Sequence, residues 1–141
     1  MAVVFLINSL VIALAVLIHY EVLRRATVLL PRISSVQKYR VVIGVFIAFG
    51  AHVAEVWLFA ASFYVMHHAD NWGHLQGNFD GSFLDAVYFS FTTYTTLGTG
   101  DIEPFGALRF LTGLESLTGL ILITWTASFL FLEMSRYWNE N

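Results

Sequence analysis

The sequence predicts an all-α membrane protein with three transmembrane helices and one short re-entrant helix. Three observations predict it. The 141 residues are 57% hydrophobic and 12% charged, with a mean hydropathy of +0.69, whereas soluble domains carry about 25% charged residues. Three apolar stretches, 2–23, 41 to about 66 and about 105–132, each reach the roughly 20 residues a bilayer demands. A further apolar segment, 83–91, is too short to span and runs into a strip punctuated by glycines.

The first helix occupies 1–24. A cleaved leader would show a basic start and a small-residue cleavage pattern, and neither is present before Arg24 and Arg25. The segment therefore reads as a retained helix. A basic linker, 25–40, follows; with Arg24 it gathers Arg25, Arg32, Lys38 and Arg40, five of the seven basic residues. Basic loops stay on the cytoplasmic side. The N-terminus is then outside, the second helix (41–66) runs outward, and the third (105–132) returns to a short cytoplasmic tail, 133–141. This orientation suits an integral protein of a plasma (inner) membrane. Tyr20, Tyr39, Tyr64, Trp72, Tyr137 and Trp138 fall near the expected boundaries, where amphipathic rings settle. The chain has no cysteine, which excludes disulfides and thiolate metal sites.

Residues 67–81 form an outer loop rich in Gly, Asn, Asp and His. Ser82 offers an N-cap and Asp85 an acidic third position for a helix over 82–95. Irregular backbone at membrane depth survives only when buried in protein or lining water. The strip Thr95-Thr96-Leu97-Gly98-Thr99-Gly100-Asp101 must therefore line a water-filled path. Alternate glycines let successive carbonyls turn toward one axis, and rings of such oxygens replace the hydration shell of a cation. No Lys-Ser or Lys-Thr pair follows the glycines, so a phosphate-binding loop is excluded.

Membrane helix, short helix, the T-x-G-x-G-D strip, Pro104 and a last membrane helix together resemble the pore module of the tetrameric potassium channel family, over 41–132. The first helix is an addition to the two-helix plan. The resemblance implies a homotetramer and no enzymatic activity. It implies no cofactor beyond the permeant ion, and no partner beyond its own copies, the bilayer and at most a separate regulatory protein; nucleic acid has no place. It implies a filter over 96–101, with K+ held by carbonyls of Thr96, Leu97, Gly98, Thr99 and Gly100, and Asp101 bracing the outer mouth. Tyr88 and Phe89 stand where the family carries an aromatic cuff. Thr99 departs from the pattern, because the family commonly has tyrosine there. The expectation is potassium permeation with weaker rejection of sodium; a non-selective monovalent cation channel is the alternative.

Buried polar residues carry further expectations. His52 and Glu55 share a face of the second helix, and Glu115 lies at similar depth in the third. Intramembrane carboxylates need partners, so these three are expected to cluster with Thr92 or Thr93 behind the filter. The cluster is either a static plug or a proton-sensitive support. Leu117, Ile121, Thr124, Ser128 and Leu132 form one helical stripe; it lines an inner cavity or serves close packing. Gly119 is a bend or a contact. His19 and Glu21 are expected at the inner interface, and Arg109 beside Glu103 or a headgroup. His67, His68 and His74 with Asp70 match no standard metal spacing.

No helix has the arginine spacing of a voltage sensor, and the nine-residue tail holds no ligand domain. A leak pore, a filter gate, a hydrophobic gate near Phe129 or Leu132, or an external regulator remain open. Two readings from other classes compete. One is a membrane-embedded haem or metal redox protein using His52, His67, His68 and His74; the other is an accessory subunit with a degenerate strip.

Overall fold

The computed structural model describes residues 2–33 and 37–139. Three long helices, α1 (Ala2–Ile33), α2 (Gln37–His68) and α4 (Leu108–Asn139), pack around a short fourth, α3 (Phe83–Tyr94). All three long helices are long and apolar enough to cross a membrane. The side chains of Lys38, Tyr137 and Trp138, and residues 140–141 of the expected tail, lie outside the described set.

α1 extends well past the membrane boundary expected at residue 24. The reason is periodic: Leu23, Ala26 and Leu30 are buried at helical spacing. Glu21 takes Arg24 at 2.7 Å and Arg25 at 2.6 Å on the outer face. The basic segment is thus largely helix. Its inner-facing stripe packs toward α2 and α4, where Leu30 and Leu130 flank Gly44.

The core lies between α1, α2 and α4, with α3 wedged against α2 and α4. Phe59, Phe63, Leu108, Leu111 and Leu122 are fully buried there. Phe63 meets Phe89 of α3 edge-on, with ring centroids 5.0 Å apart.

The segment expected as a loop, 67–81, contains a strand. β1 (Gly73–Gly77) pairs antiparallel with β2 (Ile102–Gly106), in the register Gly73↔Gly106 to Gly77↔Ile102. β2 also takes Phe105, so α4 begins later than expected. The pair carries Leu75 and Ile102 inward, both buried. Gly73 and Gly77 have φ of +114° and +102°, and a Cβ on either would stand 2.1–2.2 Å from a facing backbone oxygen. Two glycines that punctuate a loop in the sequence are what allow the two strands to approach. Pro104 sits in a two-stranded sheet, where each strand has a free edge that tolerates a missing N–H.

Candidate functional site

α3 is short because it is capped at both ends. Ser82 Oγ accepts from Asp85 N–H at 3.1 Å, and Asp80 accepts from Ser82 N–H at 2.7 Å. The Ser82 hydroxyl and N–H hold the Asp80 carboxyl below the usual aspartate range. At the other end the chain folds back on the helix. Thr96 N–H donates to Thr93 O at 3.0 Å, and Gly98 N–H donates to Thr92 O at 3.0 Å. Ser116 of α4 also donates to Thr93 O, at 3.1 Å. The last carbonyls of α3, which a helix end leaves without partners, are thus taken by the strip that follows.

That backfolding orients the strip. In a trans peptide the carbonyl points opposite to the next N–H. The carbonyls of Thr95 and Leu97 therefore face away from α3. Thr96, Gly98 and Gly100 have φ of +60°, +56° and +76°. Every second residue is left-handed, which keeps successive peptide planes on one side of the ribbon. Threonine in this region costs about 1–2 kcal/mol, so Thr96 holds strain that its hydrogen bond to α3 offsets. Among the described residues, no donor reaches the carbonyls of 95–100. Leu97 is 70% exposed and the whole strip lies on the surface of the single chain.

Asp101 ends the strip. Thr99 Oγ1 donates to Asp101 Oδ1 at 2.5 Å, and Tyr88 of α3 donates to Thr99 Oγ1 at 3.2 Å. The Thr99 hydroxyl is the main reason the Asp101 carboxyl lies below the usual aspartate range. Asn78 N–H, next to β1, donates to Asp101 O at 2.8 Å and ties the strip to the two-stranded sheet. Tyr88 thus touches position 99 directly, whereas Phe89 is buried against Phe63.

The expected cluster of His52, Glu55 and Glu115 with Thr92 or Thr93 divides in two. Glu115 faces Ser90, whose Oγ lies 2.5 Å from Glu115 Oε1 and 2.8 Å from Val56 O. Thr92 Oγ1 donates to Phe89 O and takes no part. Glu55 and His52 belong to a second group. Glu55 Oε1 lies 2.9 Å from His19 Nδ1, and Glu55 Oε2 lies 3.2 Å from His52 Nδ1 and accepts from the Tyr94 hydroxyl. His52 Nδ1 is also 2.9 Å from Tyr94 Oη. The two Nε2 atoms meet at Thr126 Oγ1, at 3.3 Å from His19 and 2.9 Å from His52. The division follows from packing: Ser90 and Tyr94 lie one turn apart on α3 and each meets a different carboxyl.

His19 corrects the expectation that it reaches an interface. It is fully buried, with Trp125 5.3 Å from its ring. It lies on the stripe of Asn8, Val11, Ala15 and Leu23, the buried face of α1. That spacing is visible in the sequence, but a partner 36 residues away is not. Ser90, Tyr94, Thr126 and Ser116 were likewise absent from the expected site.

The histidines of the redox alternative do not form one site. His52 is 15 residues from His67 on α2, or about 22 Å of helix. His67 Nδ1 accepts from Leu75 N–H at 3.0 Å, His68 Nδ1 donates to Tyr64 O at 2.8 Å, and His74 stacks on Phe105. The described groups that close within 4.8 Å in the manner of metal ligands are His19, His52 and Glu55, and they already engage one another.

On α4, Leu117, Ile121, Thr124, Ser128 and Leu132 are all exposed on the single chain, opposite the buried face of Leu111, Glu115, Thr118, Leu122 and Thr126. Thr124 and Ser128 donate to their own helix, at 2.7 and 3.1 Å. Arg109 is exposed and makes no ion pair among the described residues, so the pairing expected with Glu103 does not form within the chain.

No curated protein and no solved structure gives a match. The ion channel family model matches residues 51–136, from the middle of α2 through α3 and the strip to the end of the α4 span. With more than half of its length matched, the chain belongs to the ion channel family, and it is a channel component rather than an enzyme.

Proposed function

We propose that four copies of this chain surround an axis and conduct potassium passively down its gradient. Each copy contributes one quarter of a filter, in which Thr96, Leu97, Gly98, Thr99 and Gly100 offer backbone oxygens in stacked rings. The observation that carries this reading is the alternation of left-handed residues at 96, 98 and 100, beside carbonyls that accept nothing within the described chain. Asp101, Tyr88, Phe89, Thr92 and Thr93 support the ribbon, and His52, Glu55 and Glu115 support its helix from behind. The exposed stripe of Ile121, Thr124, Ser128 and Leu132 lines the cavity below, toward the cytoplasm; the N-terminus is outside.

Thr99 sets the selectivity. A threonine keeps the carbonyl ring and loses the aromatic packing that resembling channels place there. The polar contact from Tyr88 replaces only part of that bracing, so potassium is preferred over sodium by a reduced margin. Potassium, sodium and caesium flux through purified protein in liposomes tests the proposal. Potassium should pass, Gly98→Ala should abolish the flux, and Thr99→Tyr should widen the potassium-to-sodium ratio. A protein that stays monomeric in the bilayer, or flux that survives Gly98→Ala unchanged, rejects it.

A further inference from the structure

With Glu55 ionised and both rings neutral, the side chains joining α1 to α3 and α4 are one hydrogen short. Glu55 is contacted by His19 Nδ1, His52 Nδ1 and the Tyr94 hydroxyl, a set of donors that suits an ionised carboxylate. With both Nδ1 atoms donating, both Nε2 atoms of neutral rings are acceptors. They converge on one Thr126 hydroxyl, which has one hydrogen for two of them. One contact would then set lone pair against lone pair, in a group that is buried at membrane depth.

Charge is short by the same amount. The carboxylate of Glu55 is fully buried, and an unbalanced intramembrane charge costs several kcal/mol. The nearby titratable groups do not balance it. Tyr94 on α3 is a neutral donor, Glu115 on α4 is engaged by Ser90, and Glu21 on α1 pairs with Arg24 and Arg25 on the exposed face. Among the described residues no lysine or arginine reaches the cluster. One added proton on an imidazole cancels the charge and supplies the missing hydrogen together. A divalent cation would leave the cluster with a net positive charge, and would break contacts that are already made.

We propose that His19, His52 and Glu55 form a buried proton-binding site, in which one of the two rings is an imidazolium that fastens α1 to α3 at Tyr94. The site lies outside the filter and does not depend on which ion the filter passes. An imidazolium donates from both ring nitrogens, to Glu55 and to Thr126 at once, so removing its added proton should loosen α1 from α3 and α4.

The test uses the full-length channel with His67 replaced by Asn and His68 and His74 by Gln. That change leaves two imidazoles, and the Asn amide oxygen matches the Nδ1 that accepts from Leu75 N–H. Nitrogen-15 spectra of the ring nitrogens at neutral pH should show one imidazolium and one neutral imidazole. Glu55→Gln should convert them to two neutral rings. Two neutral rings beside an intact Glu55, or a transition metal bound to the purified protein one per chain, overturns the proposal. If Glu55→Gln does not fold, the parent decides: loss of the imidazolium signal on alkalinisation must coincide with a drop in melting temperature, and a melting temperature indifferent to that loss refutes the fastening role.

Discussion

Gly119 of α4 lies against the carbonyl of Tyr94, the last residue of α3: a Cβ built on Gly119 would stand 2.2 Å from Tyr94 O. Of the bend and the contact open to it in the sequence, this glycine serves the contact. It lets the long helix touch the backbone from which the glycine-punctuated strip departs.

Gly119→Ala should therefore displace the end of α3. Overpacking of this kind costs about 1–3 kcal/mol, and neither backbone can yield like a flexible side chain. Thermal unfolding of the detergent-solubilised protein should shift downward, and liposome flux should fall. Gly113→Ala is the control, since a Cβ there meets nothing within 4 Å. Equal effects of the two substitutions would remove the special status of the Tyr94 contact.

Thr99 links Tyr88 to Asp101, and the link has a pH signature. The folded Asp101 carboxyl lies below the usual aspartate range because Thr99 donates to it. A carboxylate lowered in this way stabilises the folded form above the ordinary aspartate value, and that contribution is lost as pH falls through the lowered value. Flux should persist in mild external acid and fail only in stronger acid. Thr99→Val keeps the shape and deletes the donor, so the acid failure should move up toward the ordinary value of about 3.9. Flux recorded against external pH for both proteins decides this.

Ser90 has one hydroxyl hydrogen and two close acceptors, Val56 O and Glu115 Oε1. If Ser90 donates to the backbone, Glu115 must supply the hydrogen of the other bond. Glu115→Gln retains a donor and should cost less than about 1 kcal/mol, with flux preserved. Glu115→Ala leaves a cavity and should cost about 2 kcal/mol or more. Chemical or thermal denaturation of both variants measures the difference; a Gln variant as damaged as the Ala variant would mean that the carboxylate charge matters.

The two-stranded sheet of β1 and β2 is a brace for the strip. Gly77 has φ of +102°, and a Cβ on it would stand 2.2 Å from Asp101 O. Gly77→Ala should open the pairing and free Asp101 from Asn78. Amide exchange at Asn78, whose N–H is held by Asp101 O, should accelerate, and flux should decay faster. Gly81→Ala, where a Cβ meets nothing but φ is also positive, should be milder.

Much of the architecture was legible in the chain itself. Three apolar runs, a basic cluster beside the first, and Ser82 and Asp85 ahead of a short apolar run each report a local physical constraint. The alternate glycines at 98 and 100 announced the ribbon, because glycine reaches left-handed φ without a steric penalty. Thr96 shared the left-handed conformation with no residue-level signal, since its φ is imposed by the bond to Thr93.

Tertiary packing alone decided the rest. The strand at 73–77 has no β-branched residue to announce it and exists through pairing with 102–106. Helical spacing placed His52 and Glu55 on one face, but it is blind to rotation between helices. His19, Tyr94 and Thr126 joined them from three other elements, and Glu115 turned to Ser90 instead. Sequence determines what repeats along one helix, because hydrophobic burial and hydrogen bonding act locally there. Which faces meet is settled by how close the backbones come, and at Gly119 that distance is set by the absence of a single carbon atom.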